Sequence, residues 1–174
     1  MATLTSKGTS PQRNTDFRPV ARRSRMILYL DSSAIVKKYL AENGSAEIHE
    51  AVGKAEAVGT ATISRTEVVA ALRKAVRMQV LEKSEGEAAV RSFNGNWLDL
   101  IRTRVTERLV KHASELAWSH DLRGYGSVQL ASAAAWQQAI GRHVTLATFD
   151  LRLWQAARAV GLLTFPERVM DSKV

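Results

Sequence analysis

A four-residue run, Ile27 to Leu30, is wholly apolar or aromatic and stops at an aspartate, after which two serines and a helical repeat follow at once. A strand with no polar face must be covered on both sides, which is the situation in a parallel sheet sandwiched by helices. Asp31 then falls just past the strand. Ser32 and Ser33 can accept hydrogen bonds from the free amides of a first helical turn, so the chain can change from strand to helix within two residues. In open α/β sheets this carboxyl edge is where ligands bind.

The same alternation recurs along the chain. Val58 to Ile63 reads as a second strand, Val144 to Thr148 as a third, and Leu162 to Phe165 as a last strand before Pro166. Thr103 to Thr106 is expected to be a further short strand. Ile35 with Tyr39 and Val36 with Leu40 mark a first helix, stopped at Asn43-Gly44, and residues 45–52 a second. Val68, Val69, Leu72 and Val76 give one face of a helix from Ser64 to near Met78. Residues 84–101 form another amphipathic segment, with a kink expected at Asn94-Gly95-Asn96. Leu109 to His120 is a helix, 121–126 a loop, and Ser127 to Ile140 a helix of mostly small side chains closed by Gly141. Leu153 to Val160 is the last helix, closed by Gly161. The pattern predicts a three-layer α/β/α domain with a central, mostly parallel sheet of four to five strands and right-handed crossovers.

The length of 174 residues suits one domain with a proper core, expected over residues 26–174. The formal charge is +8, and residues 1–25 hold most of the excess, with six basic side chains against Asp16 alone. That stretch is polar, has two of the three prolines and no apolar period. It is expected to be a disordered basic tail able to add non-specific attraction to RNA, or a mis-assigned start upstream of Met26. No apolar run approaches a membrane span or a secretory signal core, so a cytoplasmic protein is expected. With no cysteine there is neither a disulfide framework nor a thiolate metal site, and any metal must be held by carboxylates or the four histidines.

Three acids occupy equivalent places: Asp31 after the first strand, Glu67 in the helix after the second, and Asp150 after Val144 to Thr148. Parallel strands put these ends on one edge. Carboxylates gathered there repel one another unless a cation or a proton is held between them, and hard oxygen ligands select Mg²⁺ or Mn²⁺. Such an ion can acidify water and neutralise charge on a phosphodiester under attack. Structural roles compete with this reading. Ser64-Arg65-Thr66-Glu67 is also a capping box, and Asp31 and Asp150 are also suited to capping helices.

Four segments together resemble the blocks of PIN-domain ribonucleases, in the VapC toxin branch of toxin–antitoxin modules. They are Leu-Tyr-Leu-Asp-Ser-Ser-Ala from position 28, Thr-Ile-Ser-Arg-Thr-Glu-Val from 62, Leu-Arg-Gly-Tyr-Gly-Ser-Val-Gln from 122 and Leu-Ala-Thr-Phe-Asp from 146, in family order between Met26 and about Phe165. The resemblance implies a PIN fold and an endoribonuclease dependent on Mg²⁺ or Mn²⁺. It also implies a VapB-like antitoxin partner and a homodimer. Asp31, Glu67 and Asp150 match the family's first, second and last acidic positions. The third block departs: the family usually has an aspartate directly after arginine-glycine-tyrosine, where this chain has Gly126. Ser127 beside it offers a hydroxyl but no charge, and Asp121 would need the loop to fold back. An impaired enzyme is therefore expected, with a catalytically weak scaffold that binds antitoxin or RNA as the alternative. Arg65 and Arg123 flank acidic blocks and are candidate phosphate contacts. Ser32 adjoins the first acid.

The remaining polar and aromatic residues carry weaker signals. His49, His112, His120 and His143 lack metal spacing, and Lys37 and Lys38 are expected on a solvated face. Trp97, Trp118, Trp136 and Trp154 fall on helices, where core or dimer packing is expected rather than base stacking. A phospho-acceptor receiver also has an aspartate after a parallel strand, but it needs further acids beside the first strand, and none occurs here.

Overall fold

The computed structural model describes residues 26–168; the expectations for residues 1–25 lie outside them. Its centre is the apolar run already noted. Ile27–Leu30 forms β1, and all four residues are at most 5% exposed. Side chains alternate along a strand, so β1 feeds two cores. Ile27 and Tyr29 join Leu109, Leu116, Leu130, Leu146 and Leu153 on one side, while Leu28 and Leu30 join Ile35, Ile48, Leu72, Phe93 and Trp97 on the other. Each such side chain contributes about 1.5–3 kcal/mol when fully buried.

Around β1 the chain alternates as its pattern predicts. Helices α1 (Ser32–Val36) and α2 (Ser45–Lys54) precede β2 (Ala57–Ala61), and α3 (Ser64–Arg77) and α4 (Lys83–Asn96) precede β3 (Ile101–Thr103). Then come α5 (Glu107–His120), α6 (Gly124–Ile140), β4 (Val144–Ala147), α7 (Leu151–Ala159) and β5 (Leu163–Phe165). All pairings are parallel, in the order β3-β2-β1-β4-β5. The first three strands step one way across the sheet, and the chain then returns to the other side of β1 to lay down β4 and β5. The gap between β1 and β4 is thus the point where the winding reverses, and a ligand crevice opens at such a point beyond the carboxyl ends of the strands.

Several local expectations need correction. The third strand is Ile101–Thr103, not Thr103 to Thr106; pairing of Gly59, Thr60 and Ala61 with Ile101, Arg102 and Thr103 sets its place, and a three-residue edge strand carries no pattern of its own. The expected kink at Asn94-Gly95-Asn96 is absent: α4 is helical through Asn96 and passes into a 3-10 turn at Trp97–Asp99. Helix α1 stops at Val36, short of Leu40. Lys37 is not on a solvated face. It is 9% exposed, its Nζ donating to Glu42 Oε1 at 2.9 Å and to the Asn43 carbonyl at 2.6 Å, over the Phe149 ring. Lys38 is half-buried. Trp97, Trp136 and Trp154 pack as expected, but Trp118 is 93% exposed within the single chain.

Gly59 marks where the layers come closest. A Cβ built there meets the Trp136 ring at 2.7 Å and the Ile101 carbonyl oxygen at 3.1 Å, so α6 lies on β2 only because this strand residue has no side chain. Gly59→Ala is expected to cost about 1–3 kcal/mol from overpacking, read as a lower urea midpoint at unchanged m-value. Adding Trp136→Leu should recover part of the loss, and a midpoint equal to the parent's for the single variant would refute the close approach.

Candidate active site

Asp31 leaves β1 pointing into the reversal point. It is 4% exposed, and both its oxygens are held: Oδ1 accepts from the Ala34 amide at 2.8 Å and the Ser33 hydroxyl at 2.7 Å, and Oδ2 from the Thr148 hydroxyl at 2.8 Å. Ser33 also accepts from the Phe149 amide, and the Asp31 amide donates to the Ala147 carbonyl, so the acid bridges the ends of β1 and β4. Asp31 therefore caps α1 while lying at the carboxyl edge where the winding of the sheet reverses, so the capping role does not remove it from that edge. Burial pushes its pKa up from 3.8 to about 6, against the lowering pull of its three hydrogen bonds, and the neighbouring negative charge of Glu67 adds to the rise.

Glu67 does not close a capping box. The N-cap of α3 is Ile63 with no side-chain bond, and Glu67 Oε2 instead accepts from Gln129 Nε2 of α6 at 2.7 Å. Asp150 caps α7, its Oδ1 accepting from the Arg152 and Leu153 amides. The third-block expectation changes most. Gly126 lies in the first turn of α6 rather than in a loop, and a Cβ there meets nothing within 4 Å. Ser127 is 2% exposed and donates to the Gly124 carbonyl, so it does not stand in for an acid. Asp121 is committed to an ion pair with Arg152 at 2.6 Å.

An open pocket of about 640 Å³ brings together Ser32, Ser33, Glu67, Lys74, Arg123 and Phe149, with the Lys37–Glu42 pair at its margin. Arg123 is the residue at the N-cap of α6, whereas Arg65 is engaged elsewhere: its guanidinium bonds Asn94 and lies over the Trp97 ring. Among the described residues no three acidic, histidine or cysteine side chains gather closely enough to hold a metal, so the expected triad is not a closed cage. The donor chemistry nonetheless fits Mg²⁺ or Mn²⁺. Asp31 and Glu67 are near enough to repel, both are hard oxygen donors, and Mg²⁺ commonly takes one or two carboxylates and completes its shell with water and substrate phosphate.

Sequence reasoning missed Thr148 and Gln129 and gave Ser33 a capping role, whereas its hydroxyl donates to Asp31 and accepts from the Phe149 amide. Thr148 and Ser33 each lie two residues from an acid already singled out, and Gln129 is a long polar side chain in a helix of small ones.

The Asp31 shift fixes a pH dependence of stability. In the folded chain the carboxyl keeps its proton up to about pH 6, whereas in the unfolded chain it loses it near 3.8. Its contribution is thus fully present below the unfolded value and is lost as pH rises through 6, a deficit of up to about 3 kcal/mol. With chelator present, Asp31→Asn should unfold at higher urea than the parent at pH 8, by about 2 kcal/mol, and the gain should vanish near pH 4. A variant less stable than the parent at pH 8 would contradict a buried-charge penalty.

With this geometry in hand, the relatives are informative. The family model for the PIN domain matches residues 28–159. Ribonuclease VapC45 of Mycobacterium tuberculosis is 33% identical over 144 residues, which cover 82% of this chain and 97% of that protein. Among solved structures, VapC20 of Mycobacterium tuberculosis, described as a sarcin-ricin loop cleaving toxin, superposes with a TM-score of 0.55 at 19% identity over 82% of this chain and 99% of that one. VapBC2 of Rickettsia felis, solved on a DNA fragment from its promoter, gives a TM-score of 0.55 at 14% identity over 80% and 97%. The parallel sheet, the acids at its reversal point and the match across most of the chain agree: this protein belongs to the PIN-domain family, and within it is similar to the VapC ribonucleases.

Proposed function

We propose that the chain is a divalent-metal-dependent endoribonuclease toxin, impaired by Gly126, that acts on RNA in the cytoplasm and is restrained by a VapB-like antitoxin. One observation carries the reading: a buried aspartate and a tethered glutamate meet at the β1–β4 crevice, beside a pocket bearing Lys74 and Arg123. No ion pair among the described residues engages either of those cations. They are free to take phosphate oxygens, and in doing so to lay the RNA backbone against the acids. Asp31 and Glu67 would hold the ion, and Asp150, which does not gather closely with them, would add negative charge at the same edge of the sheet. When bound, the ion acidifies a water and offsets charge on the phosphate under in-line attack. The antitoxin rests on the likeness to the VapBC2 complex, and the homodimer on the family resemblance alone.

Gly126 favours a second reading, a scaffold that binds RNA or antitoxin with little turnover. Because a side chain at 126 meets open space, Gly126→Asp adds a carboxylate without displacing anything. On a structured RNA with Mn²⁺, this variant should cleave about a hundredfold faster than the parent, the scale on which single preorganised groups act, and Asp31→Asn should remove cleavage in both backgrounds. If neither the parent nor Gly126→Asp cuts RNA, the enzymatic reading fails and the scaffold stands.

A further inference from the structure

The middle of α6 buries a glutamine where the neighbouring side chains are small. Gln129 is 2% exposed, and all its polar atoms are engaged: Oε1 accepts from the Tyr29 hydroxyl at 2.8 Å, and Nε2 donates to Ser64 Oγ at 2.9 Å and to Glu67 Oε2 at 2.7 Å. The orientation of the amide is decided by its partners. Turned over, it would set a carbonyl oxygen 2.7 Å from a carboxylate oxygen, two acceptors with no proton between them. Tyr29 secures the same choice from the other side. It is fully buried, burial raises its pKa well above the ordinary phenol range, and a neutral hydroxyl remains to donate.

Behind Gln129 the network reaches the strands. Ser64 Oγ lies 2.7 Å from the Thr60 hydroxyl, which is 2.7 Å from the carbonyl of Leu30, the residue before Asp31. One chain of hydrogen bonds therefore links β1, β2, α3 and α6. Of the three acids, Asp31 and Asp150 are fixed by amides of their own helices, but among the described residues Glu67 receives no backbone bond. As an unbranched side chain on a helix surface it would sample several rotamers. Its only tether among the described residues is Gln129.

We infer that Gln129 is the positioning residue for Glu67: its amide, locked by Tyr29 and Ser64, holds Oε2 and leaves Oε1 to face the cation. This deepens the function proposed above and rests on it for the identity of the ligand. Outer partners of metal-binding side chains typically contribute 10–100-fold in affinity. The role also follows from placement, since Gln129 lies one helical turn after Gly126 on the same face, so a single helix supplies both the clamp and the vacant acidic position.

The full chain is tested with two readouts. Carboxyl-¹³C relaxation of Glu67 is measured without metal, and Mn²⁺ affinity by calorimetry. Gln129→Met keeps length and apolar bulk but removes both donors; it should free the Glu67 carboxyl and weaken Mn²⁺ about tenfold. Leu162→Ala, a core truncation at the base of β5, serves as the control for lost stability and should leave both readouts unchanged. Unaltered Glu67 relaxation in Gln129→Met overturns the clamp, whatever the metal does. Freed relaxation with Mn²⁺ affinity within twofold of the parent also overturns it, because positioning would then be idle. A parent that binds no Mn²⁺ while Gln129→Met frees Glu67 leaves the clamp standing and sinks the metal-dependent reading instead.

Discussion

The architecture turns on the burial of one carboxylate at the end of the central strand. Asp31 is a poor guest for that position: it is 4% exposed and held near a second acid. Three hydrogen bonds compensate, and they come from different elements, Ser33 and Ala34 in the first turn of α1 and Thr148 at the end of β4. The acid consequently helps define the crevice beside it. It ends β1, starts α1 and joins the two strands between which the winding of the sheet reverses. The cap uses Oδ1 and the link to β4 uses Oδ2, so one side chain serves both joints.

What the sequence made legible depended on how far apart the interacting residues lie along the chain. A continuous apolar run announced β1, and alternation of strand-like with amphipathic segments announced the layers, because these signals are local and repeated. The three-residue β3 was misplaced, since its register comes from hydrogen bonds to β2 some forty residues earlier. Lys37 looked like surface charge, yet Glu42 and the Asn43 carbonyl allow it to be buried under Phe149. Glu67 shows the same limit within the site. Serine and glutamate three residues apart satisfy a local rule for a capping box, but Gln129, 62 positions away, takes the carboxylate instead. Composition could mark Asp31, Glu67 and Asp150; it could not say which partner each would find.

The cations around the pocket divide in the same way. Lys37 lines the pocket but is consumed by Glu42 and by a carbonyl, whereas Arg65 is held away from it by Asn94 and the face of Trp97. Lys74 and Arg123 line the pocket without an ion-pair partner among the described residues. Formal charge alone gives these four side chains equal weight. Their partners separate two cations already engaged from two that carry no ion pair among the described residues.

Gly126 is the remaining asymmetry, and the fold does not require it. Its backbone is not among the glycines with positive φ, no atom lies where a Cβ would go, and it stands in the first turn of a seventeen-residue helix that has no acidic residue in that turn. Local physics favours an aspartate there, because a negative charge near a helix N-terminus gains about 0.3–1 kcal/mol. The absent carboxylate is therefore not a concession to packing or backbone geometry. What it alters, relative to an aspartate, is the charge at the N-terminus of α6, the helix that also carries Arg123 at its N-cap and Gln129 one turn further on.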